Sequence, residues 1–176
     1  VNDQIYYLNY ESILNIHDLN NNKKINNYPI LIDLSNELSY PTSIAKIEDI
    51  FYAGYANGIL ISFDLKGKIL WQKYFNDILK TPIKIHNKNI IVILSNKILS
   101  IDTINEKINW EFIYKDGNSI SVYGGDIVSK NHLIFFYLPN GRLGEIDTII
   151  GENINALFSK IKYDHNLLDS SNSVHS

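Results

Sequence analysis

The chain repeats itself about every 40 residues, and a period of that size decides the architecture before any single residue does. Four segments align. The first holds Ile5-Tyr6-Tyr7-Leu8 and then Ile13-Leu14-Asn15-Ile16-His17-Asp18. The second holds Ile50-Phe51-Tyr52-Ala53, a turn at Asn57-Gly58, Ile59-Leu60-Ile61-Ser62-Phe63-Asp64, a turn at Lys66-Gly67-Lys68, and Ile69-Leu70-Trp71. The third holds Ile90-Ile91-Val92-Ile93, Ser95-Asn96, Ile98-Leu99-Ser100-Ile101-Asp102, Asn105-Glu106-Lys107 and Ile108-Asn109-Trp110. The fourth holds Leu133-Ile134-Phe135-Phe136, Asn140-Gly141, Leu143-Gly144-Glu145-Ile146-Asp147 and Gly151-Glu152-Asn153-Ile154. The anchor residues Asp18, Asp64, Asp102 and Asp147 stand 46, 38 and 45 residues apart, and Trp71 and Trp110 stand 39 apart.

Each unit reads as a strand, an Asn-Gly type turn, an alternating strand ending in Asp, a second turn, and a strand carrying Trp in the two clearest copies. Asn-Gly between apolar runs predicts a type I′ hairpin, whose two central residues both need positive φ. A further strand is expected before each of the last three units, at 42–47, 81–85 and 126–129. An up-and-down sheet of four strands cannot bury both faces alone, so the copies must stack face to face. The expected fold is therefore all-β: a β-propeller of four-stranded antiparallel blades. Residues 1–176 form one partial propeller, with blades at 1–38, 39–78, 79–117 and 118–163, and 164–176 as a further inner strand or a tail.

Composition agrees. The chain has 12 Tyr, 7 Phe and only four Ala, which suits pleated sheets rather than helices. Net charge is −3, and Arg142 is the sole Arg, so the clustered cations that nucleic-acid binding requires are missing. There is no Cys, hence no disulfide or thiolate chemistry within these residues. No apolar run approaches the ~18 residues of a membrane-spanning helix. No signal peptide is evident either. The sequence starts at Val1 and contains no Met, which reads as a processed or truncated piece of a longer protein.

The repeated residues read as blade builders. An Asp closing a strand can accept from backbone N–H groups of the following turn. Carboxylates on different blades lie too far apart for paired acid–base work. Trp71 and Trp110 are expected to bury their rings between neighbouring blades, each indole N–H seeking a carbonyl. A stacking platform for a sugar is the alternative use. Asn26 and Asn155 fall near the Trp position in the other two copies. The five histidines, His17, His86, His132, His165 and His175, show no metal-ligand spacing, and no phosphate-binding or nucleophile-elbow motif occurs. No metal, cofactor or catalytic residue is expected.

The segments 57–71 and 97–110 resemble the quinoprotein-type (PQQ-like) propeller repeat: a turn Gly, an alternating strand ending in Asp, a turn with Lys, then Trp. Within that superfamily the order of features is similar to the BamB family of outer-membrane protein assembly lipoproteins. The run Gly117-Asn118-Ser119-Ile120-Ser121-Val122-Tyr123-Gly124-Gly125-Asp126 resembles that family's long inter-blade loop. Pro139-Asn140-Gly141-Arg142-Leu143-Gly144 resembles its following blade, and Leu168-Asp169-Ser170-Ser171 its entry into another inner strand. The resemblance implies a non-enzymatic scaffold with eight blades, about half of which this chain supplies. It implies a place at the periplasmic face of the bacterial outer membrane, held there only through a lipid anchor absent from these residues. The implied partner is a POTRA-bearing outer-membrane barrel insertase of the BamA type. Ile120, Val122 and Tyr123 would match part of the partner-binding surface. This loop carries apolar groups and no Arg, a departure from the family pattern. Two other uses of such repeats remain open: a PQQ-like sensor or ligand-binding propeller, and a fragment of a PQQ-dependent dehydrogenase.

Overall fold

The computed structural model describes residues 3–32, 39–79, 81–95, 97–113, 127–137 and 143–149. Among these residues the chain is all strand and turn, arranged as four antiparallel sheets. The first sheet is β1 (Gln4–Leu8), β2 (Ile13–Asp18) and β3 (Lys23–Pro29) in that order. The second is β4 (Pro41–Ile47), β5 (Ile50–Tyr55), β6 (Ile59–Asp64) and β7 (Ile69–Tyr74). The third is β8 (Lys84–His86), β9 (Asn89–Ile93), β10 (Lys97–Asp102) and β11 (Ile108–Ile113). The fourth, within the described residues, is β12 (Val128–Lys130), β13 (Leu133–Tyr137) and β14 (Leu143–Asp147). Neighbours in sequence are neighbours in every sheet, the up-and-down order of propeller blades.

The core lies between blades. β5, β6, β9 and β10 are buried along almost their whole length, on both faces. Their sequences accordingly run nearly continuously apolar instead of alternating. Phe51, Ala53, Ile61 and Phe63 face the first blade and pack on Leu14 and Ile16. Tyr52, Leu60 and Trp71 face the third blade and meet Ile90, Val92, Leu99 and Ile101. Ile91, Ile93 and Ile98 face the fourth and meet Ile134, Phe136 and Ile146.

A bulge recurs where each outer strand begins. The register jumps between Ser62 and Phe63, whose partners are Trp71 and Ile69, so Leu70 is the extra residue. Asn109 is extra in the third blade and Ile25 in the first. Residues two apart on a regular strand share a face; the bulge breaks that rule. Ile69 thus packs toward the first blade while Trp71 packs toward the third. Asn26, opposite Ile16, holds the Trp register in the first blade.

Three expectations change. The strand expected at 81–85 is instead β8 at Lys84–His86. Pro82 has no N–H to give a ladder, and the Ile83 N–H donates to Ser43 Oγ of the preceding blade at 3.0 Å. The turn at Asn57-Gly58 is not type I′. Gly58 has φ +88° while Asn57 is not in the left-handed region, and the Gly58 N–H donates to the Tyr55 carbonyl at 3.0 Å. Ala56 and Asn57 are therefore the central residues, and Gly58 follows as a left-handed bulge residue. The strand expected at 126–129 begins at Val128, with Ile127 buried beside it. Asp126 lies outside the described residues.

A Cβ at Gly58 would sit 2.0 Å from the Asp77 carbonyl oxygen. Gly58→Ala combines that clash with a disfavoured φ and should cost about 2 kcal/mol or more, read as a lower urea midpoint.

Tyr55 ties the second blade to the first. Its hydroxyl donates to Ser12 Oγ across the first blade joint at 3.0 Å, fully buried. Burial pushes its pKa up to about 12, with the Ser12 bond opposing in part. The unfolded tyrosine ionises near pH 10, so its share of stability is intact below that and falls as pH rises toward 12. The loss should reach about 2 kcal/mol. Tyr55→Phe should flatten this alkaline slope in denaturant titrations between pH 9 and about 12.

Candidate functional site

Antiparallel order gives the propeller two unlike ends. One end carries the turns that follow Asp18, Asp64, Asp102 and Asp147, together with the β4–β5, β8–β9 and β12–β13 turns. The other carries the β1–β2, β5–β6 and β9–β10 turns and the links from one blade to the next.

At the first end each aspartate is engaged by its own turn. Asp64 Oδ1 accepts from the N–H groups of Lys66 and Lys68 at 2.8 and 2.9 Å. Asp102 Oδ1 accepts from Ile104 and Asn105 at the same two distances. Asp18 accepts from the Asn20 N–H at 2.8 Å and the Asn21 amide at 3.0 Å. The Asn20 bond chiefly, then the Asn21 side chain, holds the Asp18 carboxyl below its usual range. Asp147 Oδ1 accepts from Ile149 at 2.7 Å, and its other oxygen lies 3.6 Å from His132 Nε2. Oδ1 of each is occupied by backbone donors of its own turn, so these carboxylates build turns. Among the described residues no three His, Asp or Glu side chains converge as a metal-binding group would.

Trp71 and Trp110 each reach across a blade joint, but differently. The Trp110 indole N–H donates to the Thr148 carbonyl of the fourth blade at 3.2 Å. Trp71 is nine-tenths buried in the second joint and lies 6.0 Å from the Tyr52 ring. Trp71 is thus seated within its joint, while Trp110 is only partly buried in the next.

Sequence reasoning missed the residue after the aspartate. Thr103 and Thr148 each donate twice, through N–H and hydroxyl, to the carbonyls of Lys88 and His132 in the turn beside them. The repeated Asp-Thr pair, against Asp-Leu in the first two copies, was the available signal.

The opposite end presents aromatic and aliphatic side chains to solvent. Tyr10 in the β1–β2 turn is 81% exposed and packs its ring 5.7 Å from that of Tyr40, in the link to the next blade. Leu31 is 84% exposed. It follows Ile30, whose N–H donates to the Ser12 carbonyl in the same turn region as Tyr10. Tyr74 and Ile78 are exposed at the next link. At the aspartate end, by contrast, the exposed Leu19, Ile104 and Ile149 come one to a turn. The link from β11 to β12 joins strand ends at the aromatic end. Its residues 114–126 lie outside the described residues, and with them Ile120, Val122 and Tyr123. Asn155 likewise lies outside.

No protein-family model matches the chain, and no curated protein matches it. Solved structures do. The computationally designed Ika8 protein superimposes with a TM-score of 0.67 at 11% identity, over 88% of this chain and 46% of that one. BamB from Moraxella catarrhalis gives 0.64 at 16% identity, over 88% and 45%. Quinohemoprotein alcohol dehydrogenase from Comamonas testosteroni gives 0.65 at 13% identity, over 86% and 33%. At such identities the likeness shows the fold alone, a β-propeller. The chain spans less than half the length of these three structures.

Replacing Trp110 with Phe keeps most of the apolar contact and removes the bond to the Thr148 carbonyl. The expected cost is about 1 kcal/mol. Trp110→Ala should cost about 3–5 kcal/mol, both read from urea unfolding.

Proposed function

We propose that this chain is a segment of a non-enzymatic interaction propeller of the BamB type, a scaffold subunit of the machinery that assembles β-barrel proteins in the outer membrane. It works at the periplasmic face, attached through a lipid anchor outside these residues. Its partner is the POTRA-bearing region of a barrel insertase. The observation that carries this reading is the aromatic cluster at the inter-blade end. Tyr10, Tyr40 and Leu31 are exposed together across a blade joint. Aromatic anchors of this kind dominate protein interfaces. The link holding Ile120, Val122 and Tyr123 leaves from the same end. The likeness to BamB and the repeat pattern support the same reading.

At the aspartate end, the turn carboxylates already accept hydrogen bonds from their own turns. This reading puts the partner contact at the other end, where large apolar side chains are exposed.

The test is direct binding of the chain to the purified POTRA region of the cognate insertase. Saturable binding is expected. Tyr10→Asp with Tyr40→Asp should weaken it at least about tenfold, as should Ile120→Asp with Val122→Asp. Absent binding, or binding indifferent to both pairs, would contradict the proposal.

A further inference from the structure

A cleft of about 480 Å³ opens between the second and third blades at the aspartate end. That is within the range of small-molecule sites, about 300–1,000 Å³. Ile47, Ile50 and Leu70 from the second blade and Ile104 from the third give it apolar walls. Glu48, Glu106 and Lys88 supply its charges.

Its lining holds one buried polar atom that the protein does not satisfy, and one indole N–H that bonds to no described residue. Ser62 is 1% exposed, and its hydroxyl has no hydrogen-bond partner. Trp71 is 9% exposed and makes no hydrogen bond among the described residues. A buried hydroxyl is rarely left this way, because an orphan costs free energy, whereas the Trp71 N–H is open to a partner from outside the protein. The neighbouring joint shows the alternative, with the Trp110 N–H satisfied by the Thr148 carbonyl. Ser100, the counterpart of Ser62, is also unpartnered, so the serine alone does not mark a site. The second joint differs in combining the open cleft with the unbonded indole. The other uncharged polar side chains lining it are engaged: the Thr103 hydroxyl donates to the Lys88 carbonyl at 2.8 Å, and Tyr52 shares a hydrogen bond with Thr103.

An indole N–H can only donate, and a serine hydroxyl can also donate. The complementary group is therefore an oxygen acceptor. Glu48 and Glu106 outnumber Lys88 in the lining and disfavour an anion. We propose that this cleft binds a small neutral molecule with an apolar body and a carbonyl or amide oxygen, which accepts from the Trp71 indole and the Ser62 hydroxyl. The site lies at the end opposite the proposed partner surface and stands independently of it.

Trp110→Phe leaves Trp71 as the sole tryptophan, so its fluorescence reports on the cleft. Three probes share one apolar body: N-acetyl-leucinamide is neutral, N-acetyl-leucine is anionic and leucinamide is cationic. The neutral probe should give a saturable change in Trp71 emission and bind at least about fivefold more tightly than the anion. Ser62→Ala should weaken the neutral probe by about fivefold to tenfold, the effect of one hydrogen bond. It should not lower the thermal midpoint, because the hydroxyl it removes has no partner in the protein. Ile104→Glu, at a position 83% exposed, should weaken the probe without disturbing the fold. The proposal is overturned by no saturable change with the neutral probe. It is equally overturned by anion affinity matching the neutral one, or by Ser62→Ala and Ile104→Glu proteins that stay folded and bind undiminished.

Discussion

The second and third blades are sheets with two apolar faces, and neither face can be covered from within. That constraint accounts for most of the structure. β5 and β6 send Phe51, Ile61 and Phe63 one way and Tyr52, Leu60 and Trp71 the other. β9 and β10 do the same with Val92 and Ile101 against Ile91 and Ile98. Hydrophobic burial is therefore a property of the joints. The outer strands β7 and β11 are relieved of the demand, and their residues alternate between covered and exposed. The bulge at Leu70 is the device that lets β7 serve both joints from positions two residues apart, Ile69 and Trp71.

Much of this was legible in the sequence. The spacing of Asp64, Asp102 and Asp147, the apolar runs at 90–93 and 59–61, and glycine at position 58 and its flanking strands follow from local chemistry. Local chemistry is what a single sequence records. The turn at Gly58 was misjudged in type because the sequence cannot say which residues of Ala56-Asn57-Gly58 are central; the Gly58 N–H bond to Tyr55 decides it. The start of β8 shifted because Ile83 found a partner on another blade, Ser43, far away in the chain. The Tyr55–Ser12 bond, 43 residues apart, was invisible for the same reason. The proposed contact residues Ile120, Val122 and Tyr123 rest on resemblance alone, since their link lies outside the described residues.

The two ends divide the work. At the aspartate end, carboxylate oxygens, turn N–H groups and the two threonines largely satisfy one another, and a cleft at the second joint leaves Ser62 and Trp71 over. At the other end the β1–β2 turn displays Tyr10, and the blade links display Leu31, Tyr40 and Ile78, all exposed. A fold that spends its apolar faces on the joints keeps recognition for its ends. The proposed partner surface and the proposed ligand cleft accordingly occupy opposite ends of one stack.

Amide hydrogen exchange measured strand by strand tests the joint-centred account most directly. Strands covered on both faces, β5, β6, β9 and β10, should exchange slowest and together, as one cooperative unit. Strands of the first and fourth sheets, with one face covered among the described residues, should exchange faster. Equal protection in all four sheets, or slowest exchange in β1–β3, would mean that each sheet is stable by itself and would contradict the account.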